Sequence, residues 1–203
     1  MTIREGSERD VHELCLRGEY ERGATLALET YSPELQRFLI ARLGVRRGED
    51  AFSEFLEDFW RGLPSFEWRG SLRTWLYVIA RHVAARELRS ARDKHERLAS
   101  SSLSGVPEQL RTGTPAHLKT NVKDRFRVLR EQLPEADQTL LILRIDGRLP
   151  WQELARVLHD APGEPSEAEL KLLSTRLRQR FRAAKQRLQK AAEAEGLIAV
   201  RKD

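Results

Sequence analysis

The stretch at residues 65–89, "SFEWRGSLRTWLYVIARHVAARELR", decides the fold class because it carries a long apolar stripe at helical spacing. Six apolar residues recur at i, i+3, i+4, i+7, i+8 and i+11, which places them on one helical face: Leu72, Trp75, Leu76, Ile79, Ala80 and Val83. Ser71 is a candidate N-cap, two aromatic residues precede it, and a run of arginines follows. The pattern predicts a helix that packs on one side. Its other face either lies in solvent or binds a polyanion.

Helical periodicity extends over most of the chain, whereas alternating strand-like runs are nearly absent. It predicts further helices over residues 8–43, 48–63, 122–133, 134–147, 150–159 and 166–195. A bend or break is expected near Ser32 and Pro33. Ser166 and Glu169 form a capping box at the entry of the last helix, and Gly196 ends that helix. The sequence therefore predicts an all-α protein.

Residues 99–121, "ASSSLSGVPEQLRTGTPAHLKTN", are rich in Ser, Thr, Gly and Pro and show no period. Such composition is typical of a flexible linker. We therefore predict two small helical domains, one over residues 1–98 and one over residues 122–203, joined by this linker.

Catalytic and metal-binding signals are missing from the sequence. Cys15 is the single cysteine, the five histidines are scattered, and no phosphate-binding loop or nucleophile motif is present. The sequence predicts a binding protein with no catalytic residues, no metal and no cofactor, and not an enzyme. No secretory signal and no bilayer-length apolar run occur, so we expect a cytoplasmic protein with no membrane partner.

The basic charge lies in two blocks. The chain has a net charge of +5, with +4 in residues 67–100 and +7 in residues 171–203. An acidic block precedes each, with −4 in residues 1–66 and −5 in residues 134–170. Two basic surfaces indicate two contacts with a phosphate backbone, although an ordinary solvated basic protein fits the charge alone equally well.

The final helix separates its apolar and cationic residues onto different faces. This division is typical of a recognition helix in the DNA major groove, although a solvated basic helix or a coiled-coil arm would share it. The first basic block places Phe66 and Trp68 beside arginines, which suits stacking of unpaired bases. The alternative for these two aromatic residues is a place in the core.

Three segments together resemble a known family. Residues 49–92, "EDAFSEFLEDFWRGLPSFEWRGSLRTWLYVIARHVAARELRSAR", resemble the second conserved region of bacterial RNA polymerase sigma factors of the small extracytoplasmic-function type, in the sigma-70 family. "LPEADQTLLILRIDGRLPWQELARVL" and "TRLRQRFRAAKQRL" resemble the helix-turn-helix of the fourth region. The resemblance implies a region 2-like helical bundle, a region 4-like helix-turn-helix domain, and a role in promoter-specific transcription initiation.

The resemblance also implies roles for individual residues. It assigns polymerase binding to Asp50, Ser53, Glu54 and Glu57. Contact with the −10 promoter element falls to Phe66, Trp68, Arg69, Ser71, Arg73, Arg81, His82, Arg86 and Arg89. Contact with the −35 element falls to Arg176, Arg178, Gln179, Arg180, Arg182 and Lys185.

The implied partners are core RNA polymerase, through its β′ clamp and β flap, and promoter DNA. The resemblance also admits an anti-sigma protein. Two other readings stay open at this stage. One is a stand-alone helix-turn-helix regulator of duplex DNA, and the other is a protein–protein adaptor with a basic helix.

The chain departs from the family pattern at several positions. Ser53 stands where the family has Gln, His82 where it usually has Asn, and Arg86 where it usually has Asp. The turn of the helix-turn-helix is longer by about a dozen residues, around "HDAPGEPSEAEL" at 159–170. We expect the recognition helix to be extended at its N-terminal end.

Overall fold

The computed structural model describes residues 3–101, 122–161 and 163–198. Its α-helices are α1 (Ile3–Leu16), α2 (Tyr20–Leu43), α3 (Val45–Gly62), α4 (Leu72–Ser101), α5 (Val122–Glu131), α6 (Glu135–Leu141), α7 (Trp151–Val157) and α8 (Glu167–Ala194). A 3₁₀ turn at Leu63–Ser65 precedes α4, and a π-helical turn at Ile142–Asp146 continues α6. Within these described ranges every regular element is helical, which confirms the predicted all-α class.

The predicted linker lies almost wholly outside the described residues. Helix α4 continues to Ser101, slightly past the predicted boundary at residue 98, and α5 begins at Val122. The division of the chain into residues 1–98 and 122–203 remains a prediction. We use "first domain" for α1–α4 and "second domain" for α5–α8.

The first domain is a four-helix bundle. Gly18 and Gly44 have φ values of 76° and 79°, a left-handed conformation that glycine adopts without steric cost, and they end α1 and α2 respectively. The large side chains that fill the bundle include Tyr31, Leu35, Leu39, Phe55, Phe59, Leu72, Leu76 and Tyr77. Cys15 is buried at its edge, and this burial raises the pKa of the thiol.

Helix α2 differs from the sequence prediction at Ser32 and Pro33. The chain breaks instead at Gly18, and α2 runs without interruption through Pro33. Proline removes one backbone donor from a helix interior. Burial of the neighbouring Tyr31 and Leu35 offsets that loss, and the Tyr31 hydroxyl also bonds Glu8 of α1 at 3.0 Å. Tertiary packing therefore overrides the local break signal.

The second domain packs three short helices on the long α8. Leu140, Leu141, Leu143 and Leu154 are buried there, and Trp151 meets Phe181 of α8 edge to face at 5.6 Å between ring centroids. The predicted capping box is present: the Ser166 hydroxyl accepts from the Glu169 amide, and the Glu169 carboxylate accepts from the Ser166 amide. Gly196, with φ 66°, follows the end of α8 as expected.

The two domains lie against each other, an arrangement we call closed. Helix α4 packs on α7, α2 packs on the π-helical turn, and one buried apolar cluster includes side chains of both domains. The two domains approach closely at Gly147. A Cβ atom there would lie 3.1 Å from the Tyr77 hydroxyl of α4 and 2.8 Å from the Leu143 carbonyl oxygen.

Candidate nucleic-acid interface

The loop before α4 holds Phe66 and Trp68 half-buried. The Phe66 ring stacks on Trp75 with 4.5 Å between centroids, and the Trp68 ring lies 4.8 Å from Phe66 and 4.3 Å from His12. These rings are neither fully buried in the core nor fully exposed. They form a short aromatic stack with one side at the surface.

The backbone of the same loop is unusual at Trp68, whose φ is 57°. A bulky residue in the left-handed region is uncommon and costs about 1 kcal/mol or more. Ring stacking on both neighbours offsets this cost. After the loop, Ser71 caps α4 by accepting a hydrogen bond from the Thr74 amide at 3.1 Å, and Arg69 is exposed.

The outer face of α4 is basic. His82, Arg86 and Arg89 are exposed there, and an open groove is lined by Arg86, Arg89, Ser90, Asp93 and Lys94. Arg86 is held by Asp58 of α3 at 2.7 Å and by Glu54 at 3.4 Å. At position 86 the family usually has Asp, and this chain has Arg. Arg86, a candidate for the −10 element, thus pairs with Glu54, a candidate for polymerase binding.

His82 lies beside Arg81, whose Nη2 is 3.0 Å from His82 Nε2. Burial, followed by the Arg81 charge, lowers the pKa of His82. The neutral ring is therefore favoured, and it can accept the Arg81 hydrogen bond.

Two of the candidates for the −10 element are turned inward. Arg73 makes a bidentate pair with Glu34 of α2, at 2.7 and 2.9 Å, and only 14% of its side chain is exposed. Arg81 has 15% of its side chain exposed and pairs with Asp160 of the second domain at 2.6 Å. In the closed arrangement neither guanidinium is presented to an external phosphate.

The polymerase-binding candidates lie together on the exposed face of α3, where Asp50, Ser53, Glu54 and Glu57 all face solvent. Trp60 lies on the same exposed face, with 49% of its surface accessible. Its spacing of i, i+4, i+7 from Ser53 and Glu57 was the signal that could have found it.

The candidates for the −35 element lie on α8. All six are exposed: Arg176, Arg178, Gln179, Arg180, Arg182 and Lys185. The Arg178 guanidinium lies 5.7 Å from the centre of the Trp151 ring, within cation–π range. The structure thus groups the predicted cations on one helix and leaves most of their polar atoms in solvent.

Arg180 differs from the other cations of α8. It donates to Asp137 of α6 at 2.5 Å, and Arg187 donates to the other carboxylate oxygen at 2.8 Å. Asp137 is only 2% exposed, so these two contacts hold α8 against α6. The sequence reading missed this carboxylate because nothing local marks it as buried.

The parts of the chain that the structure describes contain no group of three or more His, Cys, Asp or Glu side chains arranged to hold a metal ion. None of the described helices has both the length and the apolar character that crossing a bilayer requires.

Comparison with known proteins places these elements in a family. The sigma-70 region 2 model matches residues 27–94, which run from α2 through the aromatic loop to most of α4. The RNA polymerase sigma factor YlaC of Bacillus subtilis (strain 168) is 29% identical over 133 residues, 63% of this chain and 75% of that protein.

A solved structure shares the fold. The sigma factor RpoE of Bartonella quintana, crystallised in complex with the anti-sigma factor NepR, superposes with a TM-score of 0.60 and 19% identity. The match covers 85% of this chain and 95% of that one. The region 2 match, the curated relative and the shared two-domain helical fold agree with the motifs of residues 49–92. Residues 27–94 thus match sigma-70 region 2, and the chain is similar to a known sigma factor over most of its length.

Proposed function

We propose that this protein is a sigma factor that directs core RNA polymerase to specific promoters and aids the opening of promoter DNA, acting in the cytoplasm. The observation that carries the proposal is the position of the aromatic loop. Phe66 and Trp68 stand directly before a helix with exposed arginines, inside a matched region 2 domain. The proposed role is binding and positioning, with no bond made or broken by this chain.

The α3 face would bind the polymerase. Exposed carboxylates of Asp50, Glu54 and Glu57 lie on the same face of α3 as an exposed aromatic side chain, Trp60. Aromatic residues are enriched at interface hot spots, and acidic residues around them favour a partner with basic groups. We assign this face to the β′ clamp of the polymerase and a surface of the second domain to the β flap.

The loop and α4 would bind the −10 element as single-stranded DNA. Any unpaired base can stack on an aromatic ring, and such stacking contributes about 1–3 kcal/mol per base. Arg69, Arg86 and Arg89 are placed to contact the backbone of that strand. The exposed cations of α8 would contact the −35 element as duplex DNA, because a helix with a cationic outer face fits the major groove.

Two weak DNA contacts on one chain act together, because binding of one raises the effective concentration of the other. The complex of the Bartonella relative with NepR supports an anti-sigma protein as a further partner of this chain. The stand-alone helix-turn-helix regulator is less favoured, since a protein that binds only duplex DNA has no use for an aromatic loop suited to unpaired bases.

The test is in vitro transcription by core polymerase on a pool of genomic promoters, with and without the protein. We expect discrete transcripts that depend on the protein. Trp68→Ala should reduce them, and Arg17→Ala, at an exposed position just after the end of α1, serves as the control. The absence of any protein-dependent transcript would overturn the proposal.

Co-purification with core polymerase separates the sigma factor from the stand-alone regulator. A sigma factor binds the polymerase, and Glu57→Arg on α3 should weaken that binding. Glu13→Arg, which makes the same charge change on exposed α1, should not. Retention of DNA binding without polymerase binding would favour the regulator.

A further inference from the structure

Helix α1 contacts the aromatic loop and the start of α4 at two points. One carboxylate oxygen of Glu8 accepts a hydrogen bond from the backbone amide of Arg73 at 3.0 Å. One helical turn later, the His12 ring lies against the Trp68 ring, with 4.3 Å between the centroids and 30° between the planes. Residues four apart are neighbours on one face of a helix. One face of α1 therefore contacts both the loop and the helix that follows it.

Glu8 attaches α1 to the rest of the first domain at the start of α4. The Arg73 amide is among the first amides of α4, which have no acceptor within their own helix. The same carboxylate oxygen also accepts a hydrogen bond from the Tyr31 hydroxyl of α2 at 3.0 Å. A carboxylate near a helix N-terminus is further stabilised by the helix dipole. These bonds fix the position of α1, and with it the position of His12 relative to the loop.

The Trp68 ring gains support from outside its own loop. Its backbone φ of 57° is uncommon for a bulky residue, and residues 66–71 form no helix. The ring contact with Phe66 comes from the same loop, whereas the contact with His12 comes from a separate helix. The contact with α1 thus ties the indole to the helical bundle.

A second series of ring contacts joins the loop to the core. Phe66 stacks on Trp75 with 4.5 Å between centroids, and Trp75 lies 5.9 Å from Phe59 of α3. Phe59 is only 1% exposed. From Trp68, one path of contacts therefore leads into the core and the other leads to α1, so the indole is held from two directions.

We propose that His12 is a positioning residue for the −10 element, which holds the Trp68 ring in the orientation that stacks on an unpaired base. This inference rests on the proposed function, because it takes Trp68 to be a base-stacking residue. It extends the single-strand interface to α1, which lies outside the residues 27–94 that match sigma-70 region 2. His12 acts through Trp68, and the base itself stacks on the indole.

Preorganisation explains why such support raises affinity. A free side chain loses rotamer freedom when a base stacks on it, and this loss weakens binding. Here the indole is already ordered by its contacts with Phe66 and His12. All three side chains are half-buried, so part of the Trp68 ring stays open to a base. A single strand therefore binds a ring that is ordered before the DNA arrives.

Direct contact between His12 and the DNA is the alternative role. Both roles predict that His12→Ala weakens the binding of a single strand. They differ once the indole is absent, because a positioning residue then has nothing to position, whereas a direct contact still contributes. A double-mutant cycle distinguishes them.

The cycle uses the full chain with His12→Ala, Trp68→Ala and the two changes together. The probe is a labelled single-stranded DNA of mixed sequence, about 20 nucleotides long, with affinity measured by fluorescence anisotropy. His12→Phe keeps a planar ring at this position of α1. His159→Ala is the matched control, because it removes another half-buried histidine, in the second domain.

We expect His12→Ala to weaken strand binding by about three- to tenfold, and Trp68→Ala to weaken it further. The double variant should bind as weakly as Trp68→Ala alone, because the two residues act as one unit. His12→Phe and His159→Ala should both stay within about twofold of the unmodified protein. Additive losses in the cycle, or unchanged affinity of His12→Ala, would overturn the inference.

Binding of a promoter duplex through α8 shows whether the variants keep their fold. His12→Ala should bind the duplex within about twofold of the unmodified protein, since the cations of α8 are unchanged. An equal fall in duplex and single-strand binding would be a general folding defect, and it would contradict the positioning role.

The transcription assay keeps this test separate from the proposed function. The absence of protein-dependent transcripts, or full single-strand affinity of Trp68→Ala, contradicts the proposed function and the positioning role together. Transcription and strand binding that depend on Trp68 but not on His12 contradict only the positioning role.

Discussion

Helices α4 and α8 carry the same kind of sequence, an apolar stripe with arginines on the other faces, but their arginines differ in availability. On α4, Arg73, Arg81, Arg86 and Arg92 each meet a carboxylate. Among the residues that the structure describes, only Arg180 and Arg187 of α8 do so, and they share Asp137. The difference arises because acids of both domains lie against α4, Glu34 and Asp58 in the first domain and Asp160 and Glu135 in the second. A cationic pattern predicts a surface charge, and tertiary contacts decide whether that charge is free.

The largest expected effect concerns Asp137, the acid of α6 that pairs with two arginines of α8. Asp137→Ala removes a buried acceptor of two charged hydrogen bonds, and we expect a loss of about 2–3 kcal/mol in the free energy of unfolding of the second domain. Urea denaturation measures it. Asp146→Ala, an exposed acid paired with Arg130, should cost less than about 1 kcal/mol. Equal midpoints for the two variants would show that Asp137 does not hold α8.

The next effect tests whether the free arginines of α8 bind duplex DNA. Arg178→Ala or Arg182→Ala should weaken binding to a promoter duplex by about three- to tenfold at low salt and reduce the salt dependence by about one ion. Arg187→Ala should weaken it less, because that side chain is held by Asp137. Titration at several salt concentrations measures both quantities. An equal loss for all three variants would indicate a non-specific charge effect.

A smaller difference is expected between two arginines of α4. Arg89 bonds its own helix, through the Ala85 carbonyl at 3.3 Å, whereas Arg86 is paired with Asp58 and Glu54. Arg89→Ala should therefore reduce single-stranded DNA binding by about two- to fivefold more than Arg86→Ala does. Anisotropy with the same labelled strand measures it. The reverse order would mean that Arg86 leaves the α3 acids when DNA binds.

The smallest effect is a pH dependence of closure at Glu153. Burial raises the pKa of this carboxyl, and the nearby Arg73 charge offsets only part of that rise. The closed form thus binds a proton more readily than the open form. Closure should weaken as pH rises from the ordinary value of 4.5 through the raised value. Small-angle scattering across this range should show a steeper pH dependence for the unmodified protein than for Glu153→Gln, and identical curves would contradict the assignment.

The sequence predicted the elements that depend on local signals. The capping box of Ser166 and Glu169, the helix stop at Gly196 and the apolar face of α4 are all present. These features involve residues within one or two helical turns of each other, so spacing alone specifies them. Asp50, Ser53, Glu54 and Glu57 were implied by the family resemblance, and they share one face of α3 because their spacing is i, i+3, i+4 and i+7.

Features that depend on distant parts of the chain were not predictable in this way. Pro33 does not break α2, because the core on either side of it is buried. Arg73 matches a motif for DNA binding, yet it meets Glu34, 39 residues away in the sequence. The two basic blocks predicted two surfaces that bind phosphate. The same net charges also fit acidic and basic surfaces of this chain that bind each other. Only the packing of α4 on α7 distinguishes these cases.

The buried position of Cys15 has a practical consequence for all of these experiments. It is the chain's single cysteine, and a thiol with a raised pKa forms little of the reactive thiolate at neutral pH. A cysteine introduced at an exposed site in each domain would therefore take up a maleimide dye much faster than the native thiol. Donor and acceptor dyes at two such sites would report opening and closing on single molecules, without removal of a residue from the core.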